Sequence, residues 1–363
     1  MDLAALCDPG CETFCAQDVQ RILGRPATPA EGCVFIPDAT REEAALLNYH
    51  LLTASRVLAV LSRSCDAASL LATDFSPFLV RGGAFKVVAR ENGERAHEVE
   101  ESLGEALHKR GLPVDLTKPS MTIVAWRQGA SCVVGVDLSG RDLGKREYRA
   151  FHTRRSLRST IVASALFAGE AVGRRIIDPY SIDGTVAIEA VLAATRTSPQ
   201  LYKKEFAFMH MPFAADKDWS AFFLAEDSRR GSEASVRCFY PLVRLLKMGR
   251  ANAKLAGIDK LLSQTKCELR WLSTKLVEHN TEVLITVPPV SSKHVPPKDV
   301  EQVQDELFAE AKRALMPAGR IVLIAEKKAE LLNPAQRHGF ELKKEWVVRR
   351  GGAQFFFLIF AAP

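Results

Sequence analysis

The amino-acid sequence predicts an α/β protein of more than one domain, ending in a doubly wound parallel sheet with an antiparallel edge. Its 363 residues exceed what one ordinary hydrophobic core organises. From residue 157 onward, apolar strand-like runs alternate with helix-periodic stretches, the pattern of successive βα steps. The chain then closes on two apolar runs, Trp346–Arg349 and Phe355–Phe360, either side of Gly351-Gly352, which reads as an edge hairpin.

Residues 1–60 are the first predicted unit, with a helix from Glu12 to Leu23, a strand at Cys33–Ile36 and a helix from Arg41 to Leu52. Residues 61–139 are the second. They hold a strand at Phe85–Arg90, a helix from Ala96 to Arg110 closed by Gly111, and strands Met121–Trp126 and Cys132–Val136 about Gln128-Gly129-Ala130. Residues 140–160 form a connector and residues 161–363 the last unit. Helices Leu157–Gly169 and Val186–Ala194 flank a strand Arg175–Asp178, and Val236–Tyr240 leads to a helix Leu242–Ala256 capped by Gly257. A further strand ends at Trp271-Leu272-Ser273, and Val283–Thr286 runs into Pro288-Pro289. Helix Val300–Leu315 and strand Arg320–Ala325 precede the hairpin.

The apolar runs, such as Val57–Leu61, are too short to cross a bilayer, and the first residues show no basic-then-apolar leader, so the expected location is the cytoplasm. Eight cysteines in such a chain argue for reduced thiols. Cys7, Cys11 and Cys15 recur every four residues, on one face of a helix if a helix runs through them. Three thiolates so placed could ligate a metal, but no C-x-x-C pair accompanies them, and buried apolar filling is the expected role; no metal site is assigned. A net charge of +6 is too mild to name a partner. Its distribution says more: Arg141, Lys145, Arg146, Arg149, Arg154, Arg155 and Arg158 are opposed only by Asp142 and Glu147. That stretch is either a phosphate-contacting segment or a solvated linker.

The stretches VVARENGERAHEVEESLGEAL, LPVDLTKPSMTIVAW and VVGVDLSG, then REYRAFHTRRSLRSTIVASAL, FAFMHMP at Phe206–Pro212 and RANAKLAG at Arg250–Gly257, resemble in order one family. It is that of the THUMP-domain RNA methyltransferases, which modify the 2-amino group of guanosine in tRNA. The resemblance implies an N-terminal ferredoxin-like unit over 1–60, a THUMP module over 61–139, a basic linker, and a Rossmann-like class I methyltransferase domain. It implies tRNA or another structured RNA as partner, held by shape and backbone, with Lys86, Arg90, Lys109, Arg110, Lys118, Arg127, Arg149, Arg154, Arg155 and Arg158 as the cations at hand.

Against that family the cofactor and catalytic positions are altered. Where the family reads Asp-Pro-Met-Cys-Gly-Ser-Gly-Thr, this chain reads Asp178 to Thr185, with Ile182 at the first glycine, Asp183 beside it and Gly184 at the second. Ile182 is expected to fill space that the methionine moiety of S-adenosylmethionine needs, and to resist a positive φ if the loop requires one. The ribose-binding acid falls on Tyr240, with Glu226 or Asp227 as the alternative in a different register, and the adenine-binding acid on Ser273. The catalytic Asn-Pro-Pro-Tyr is replaced by Val287, Pro288, Pro289 and Val290, which supply neither a side-chain acceptor for the target amine nor a stacking plane. The expectation is an RNA-binding relative with absent or weak S-adenosylmethionine binding, its former active-site face open to a protein partner. The alternative is an active methyltransferase with a rebuilt pocket.

Overall fold

In the computed structural model, which describes residues 1–293 and 295–362, the chain divides into two compact units. One comprises residues 1–144 and 202–228, the other residues 145–201 and 229–363. In chain order the first stretch holds β1 (Leu3–Cys7), α1 (Glu12–Leu23), β2 (Thr28–Ala30), β3 (Cys33–Ile36), α2 (Arg41–His50), β4 (Ala54–Ser62), β5 (Phe85–Glu91), β6 (Glu94–Arg95), α3 (His97–Lys109), β7 (Met121–Gln128) and β8 (Ser131–Asp137). Then come α4 (Ser159–Ala168), β9 (Ile176–Asp178), α5 (Thr185–Thr195), α6 (Trp219–Asp227), β10 (Val236–Tyr240), α7 (Val243–Leu255), β11 (Leu262–Lys266) and β12 (Thr281–Thr286). The last are α8 (Pro297–Ala314), β13 (Leu315–Ala325), α9 (Ala329–Arg337), β14 (Glu341–Arg350) and β15 (Ala353–Ala361). No helix among the described residues is long and apolar enough to cross a membrane.

The first unit is built on one sheet in the order β2-β3-β1-β4-β8-β7-β5-β6. β4 pairs antiparallel with β8, so residues 1–60 and 61–139 share a sheet. Helix α2 starts where it does because Thr40 and Glu43 cap it reciprocally: the Glu43 amide donates to Thr40 Oγ1 (3.1 Å) and the Thr40 amide to Glu43 Oε2 (2.9 Å). Side chains from α1, α2 and α3 bury into one core with alternate residues of the strands, among them Val19, Leu47 and Leu103. Cys7 ends β1, Cys11 is the N-cap of α1 and only Cys15 lies within the helix, which corrects their placement on one helical face. All three are buried.

Two further features of this unit depart from the sequence expectation. Cys65 and Cys132 are joined in a disulfide, so not all eight cysteines are free thiols. The two are 67 residues apart, and only the pairing of β4 with β8 brings them together. Second, residues 202–228 leave the C-terminal half of the sequence and complete this unit. Their Phe206, Phe208, Trp219 and Phe223 enter its core; Phe223 packs on Tyr49 with ring centroids 4.6 Å apart, and Trp219 meets Phe208 edge-on at 4.9 Å. Tyr49 donates to Asp227 (2.7 Å), Arg41 pairs with Asp216, and Arg141 donates to the carbonyls of Lys203 and Glu205.

The second unit is a seven-stranded sheet in the order β11-β10-β9-β12-β13-β15-β14, parallel except for the C-terminal hairpin. At its centre Thr286 on β12 donates to Asp178 on β9 (2.7 Å), which aligns the ends of those strands. The expected strand ending at Trp271-Leu272-Ser273 is instead a 3₁₀ helix, Leu269–Thr274; the strand is β11, ending at Lys266. Tyr240, at the end of β10, is fully buried and donates to Gln264 Oε1 on β11 (2.9 Å). A Cβ built on Gly249 would lie 1.9 Å from its hydroxyl and 2.4 Å from the ring. A glycine inside a helix costs about 0.5–1 kcal/mol relative to alanine. Gly249 stands in the middle of α7 because the phenol fills the space where a methyl group would sit.

Two tests follow from this packing. Residues 1–144 alone leave the aromatic face under 202–228 uncovered, and are expected to lack a cooperative thermal transition. The same segment joined through a short flexible linker to 202–228 should melt cooperatively by circular dichroism, and equal behaviour of the two would refute the role given to the insert. Gly249→Ala should destabilise the chain by about 1–3 kcal/mol by overpacking, yet stabilise a Tyr240→Ala background by about 0.5–1 kcal/mol through helix propensity. Urea melts of the four proteins measure this coupling, and additive effects would place the phenol elsewhere.

Candidate functional site

The turn Asp178–Thr185, between β9 and α5, is where a doubly wound sheet presents a helix N-terminus to a ligand. The left-handed conformation falls on Gly184, at φ 83°, and not on Ile182, so the substituted position carries no such strain. Asp178 is buried at 1% exposure, and that burial raises its carboxyl to about 7 against the hydrogen bond from Thr286. Asp183 is also buried. Its Oδ1 accepts the Thr185 amide (3.0 Å) at the start of α5, and its Oδ2 lies 3.7 Å from Arg149 Nη2. The chain thus places its own carboxylate at the helix end where the cofactor's carboxylate is expected. The Asp183 carbonyl is fixed by Asn252 Nδ2 (2.9 Å), which also donates to Phe151 O (2.7 Å), while Asn252 Oδ1 accepts the Phe151 amide. Asn252 is the working residue of the RANAKLAG stretch, and its signal was a buried amide side chain inside a helix, where such a residue is a poor helix former.

Over this turn lies a cavity of about 20 Å³, walled by residues including Arg155, Ser156, Asp178, Ile182, Asp183 and Val287. Arg155 and Ser156 come from the connector, which is docked on this unit. Arg146 and Glu189, both at 0% side-chain exposure, pair at 3.0 Å, and Tyr148 donates to the same Glu189 carboxylate (2.7 Å). The connector is therefore not simply a solvated linker: Arg146 is structural, Arg149 faces Asp183, and Arg158 donates to Thr160 Oγ1 (3.0 Å). Arg154 and Arg155 are exposed.

The remaining site positions are spread around the ends of the strands. Tyr240 points between Gly184 and Gly249, and burial raises its phenol well above the usual range. Glu226 and Asp227, the alternative ribose acids, belong to the first unit, Asp227 as the acceptor of the Tyr49 hydroxyl. Ser273 lies beyond the end of β11; the acid that follows that strand directly is Glu268, which the sequence reading missed because the apolar Trp271-Leu272 looked like strand. Glu268 pairs with Lys266 (3.0 Å) and Arg270 (2.8 Å), and Lys266 holds its carboxyl below the usual value. At the position expected to be catalytic, Val287 follows β12 and the two proline carbonyls are engaged: Arg155 donates to Pro288 O (3.4 Å) and Gln304 to Pro289 O (2.9 Å). Val290 is half-buried.

The cations on the first unit fall into two groups. Arg110 donates to the carbonyls of Leu70 (2.7 Å) and Thr73 (3.0 Å), Lys109 pairs with Glu105, Arg127 with Glu91, and Arg90 donates to Gly93 O. Lys118 is exposed on the loop before β7, and Lys86 is half-buried on β5.

Residues 146–355 match the RMKL-like methyltransferase domain (UPF0020). Over its whole length the chain is similar to the tRNA (guanine(6)-N2)-methyltransferase of Thermus thermophilus, 28% identical with 97% of each protein covered. Among solved structures, TrmN from Thermus thermophilus superposes with a TM-score of 0.72 at 23% identity, covering 100% of this chain and 99% of that one. A putative methyltransferase crystallised with SAH superposes with a TM-score of 0.80 at 19% identity, covering 100% and 98%. These likenesses carry the fold, which is the α/β architecture with a class I methyltransferase sheet that the sequence predicts. Because the match to the domain takes in more than half of the sequence, this chain belongs to the RMKL-like methyltransferase-domain family.

Proposed function

We propose that this chain holds structured RNA of the tRNA class and does so without using S-adenosylmethionine as a methyl donor. The observation that carries the second half is the cavity of about 20 Å³ over the turn Asp178–Thr185. It has room for about one water molecule, whereas sites for cofactor-sized ligands run to about 300–1,000 Å³. The residues present do not fit the group. Asp183 occupies the anion position at the start of α5, Tyr240 offers no carboxylate at the end of β10, and Arg155 has taken the Pro288 carbonyl that a target amine would need. No transfer step is derived through the cofactor.

The RNA half rests on the end-to-end similarity to a tRNA methyltransferase, together with the exposed Lys118 and Arg154. The two compact units take the roles of a THUMP-containing RNA-binding part, with the ferredoxin-like strands in the same sheet, and a Rossmann-like support. The strand-end surface of that support, with exposed Leu242 and Trp271, is left to a protein partner, and the reading places the protein in the cytoplasm. A second reading, an active methyltransferase of guanosine 2-amino groups, is favoured by Glu268 standing where an adenine-binding acid belongs.

Two measurements test these readings. Filter binding of tRNA should fall steeply with salt, and Lys118→Ala and Arg154→Ala should each reduce the slope of log K against log salt by about 0.7–0.9. An unchanged slope removes that residue from the RNA surface. Calorimetric titration with S-adenosylmethionine should show no binding tighter than about 1 mM, while the folded variant I182G/D183S/Y240D/G249A should bind it measurably. Low-micromolar binding by the natural chain would restore the enzyme reading.

A further inference from the structure

Six cysteines, Cys7, Cys11, Cys15, Cys33, Cys238 and Cys267, are buried and stand outside any disulfide. The two that are half-exposed, Cys65 and Cys132, are the ones joined to each other. Their position has a structural consequence. The hydrogen-bonded register of β4 on β8 runs out at Ser62 opposite Val134, and the disulfide continues that seam past its last backbone pair. It therefore fixes the point where the chain leaves the sheet to begin the long connection to β5.

That connection, residues 63–84, has one short 3₁₀ helix, Ala67–Leu70, as its regular structure. Two further anchors hold it. Leu70 and Phe75 are buried in the core, and the Arg110 guanidinium donates to the carbonyls of Leu70 and Thr73 while lying 5.4 Å over the Phe75 ring. Between these anchors and the Arg110–Pro113 turn the connection walls an open groove of about 580 Å³. Its lining includes Arg81, Leu79 and Phe75, and Leu71, Val80 and Val114 are exposed about it. The backbone hydrogen bonds within residues 66–83 are short-range turns, such as Phe78 N to Phe75 O and Gly83 N to Val80 O, so the path of the segment rests on its side-chain anchors and on the tie at its start.

We propose that Cys65–Cys132 is a covalent modification site, opened by a dithiol reductant, whose state sets the shape of the groove walled by residues 72–83 and 110–113. A thiolate of the dithiol attacks one of the two sulfurs, forming a mixed disulfide and releasing the other as a thiolate that takes up a proton. The second thiol of the reductant then displaces the remaining protein sulfur. The reductant leaves as a cyclic disulfide, oxidised by two electrons, and Cys65 and Cys132 are left as two thiols. Cys7 and Cys33 are poor competitors for the exchange, because the hydrogen bond with Cys15 and burial raise Cys7 well above the ordinary thiol range, and burial lifts Cys33 to about 12.

The test uses the full chain, folded and purified in air. Native N-ethylmaleimide should label neither Cys65 nor Cys132, and after treatment with dithiothreitol it should label these two and leave the six buried thiols unmodified. Hydrogen exchange at residues 66–83 should accelerate at least about tenfold on reduction, the signature of a segment released from local protection, while amides of β1 and β7 keep their rates. The C65S/C132S variant should exchange like the reduced chain with and without dithiothreitol, which separates loss of the bond from any other effect of reductant. Labelling of Cys65 before reduction, or unchanged exchange at 66–83 after it, overturns the proposal.

Discussion

The buried ion pair between Arg146 and Glu189 is the contact on which the second unit's pocket depends. Neither side chain is exposed, and removing one partner of such a pair leaves an uncompensated charge that costs about 3–5 kcal/mol. With Tyr148 on the same carboxylate, the pair holds the connector against α5. Everything downstream inherits that position: Phe151 reaches Asn252, Arg149 comes within 3.7 Å of Asp183, and Arg155 with Ser156 walls the space over the turn Asp178–Thr185. A stretch that reads as a string of loose cations is in this sense a lining, and only a minority of its charges remain outward.

Much of the fold was legible because the signals were local and strong. Helix α1 and strands β3 and β10 fall where their periodicity places them, and the glycine pair at 351–352 marks the terminal hairpin. What failed had weak or non-local signals. β2 is three residues with a proline, and β11, Leu-Ser-Gln-Thr-Lys, lacks an apolar run, so the neighbouring Trp271-Leu272 drew the strand to itself and the acid to Ser273 instead of Glu268. The Cys65–Cys132 bond and the membership of residues 202–228 in the first unit are consequences of pairing across distant sequence. No window along the chain contains them.

The sequence singled out positions around the candidate site without their geometry. Ile182 and Val287 do wall one cavity, but the sequence suggested that Tyr240 would stand in the ligand's space. The structure turns the phenol beneath the turn, between Gly184 and Gly249, and gives the closing role to Asp183 and to the connector. The difference is physical: a tyrosine at the end of a strand can leave the strand-end surface if a neighbouring helix offers it a hole, and the hole here is a missing methyl group on α7.

That missing methyl group also couples two positions. A carboxylate placed at position 240 alone would leave a cavity against a helix weakened by glycine, and an alanine placed at 249 alone would collide with the buried ring. Either change made singly gives a less stable protein than the two made together. Tyr240 and Gly249 are thus a matched pair, and what each position can accept is set by its neighbour through packing alone.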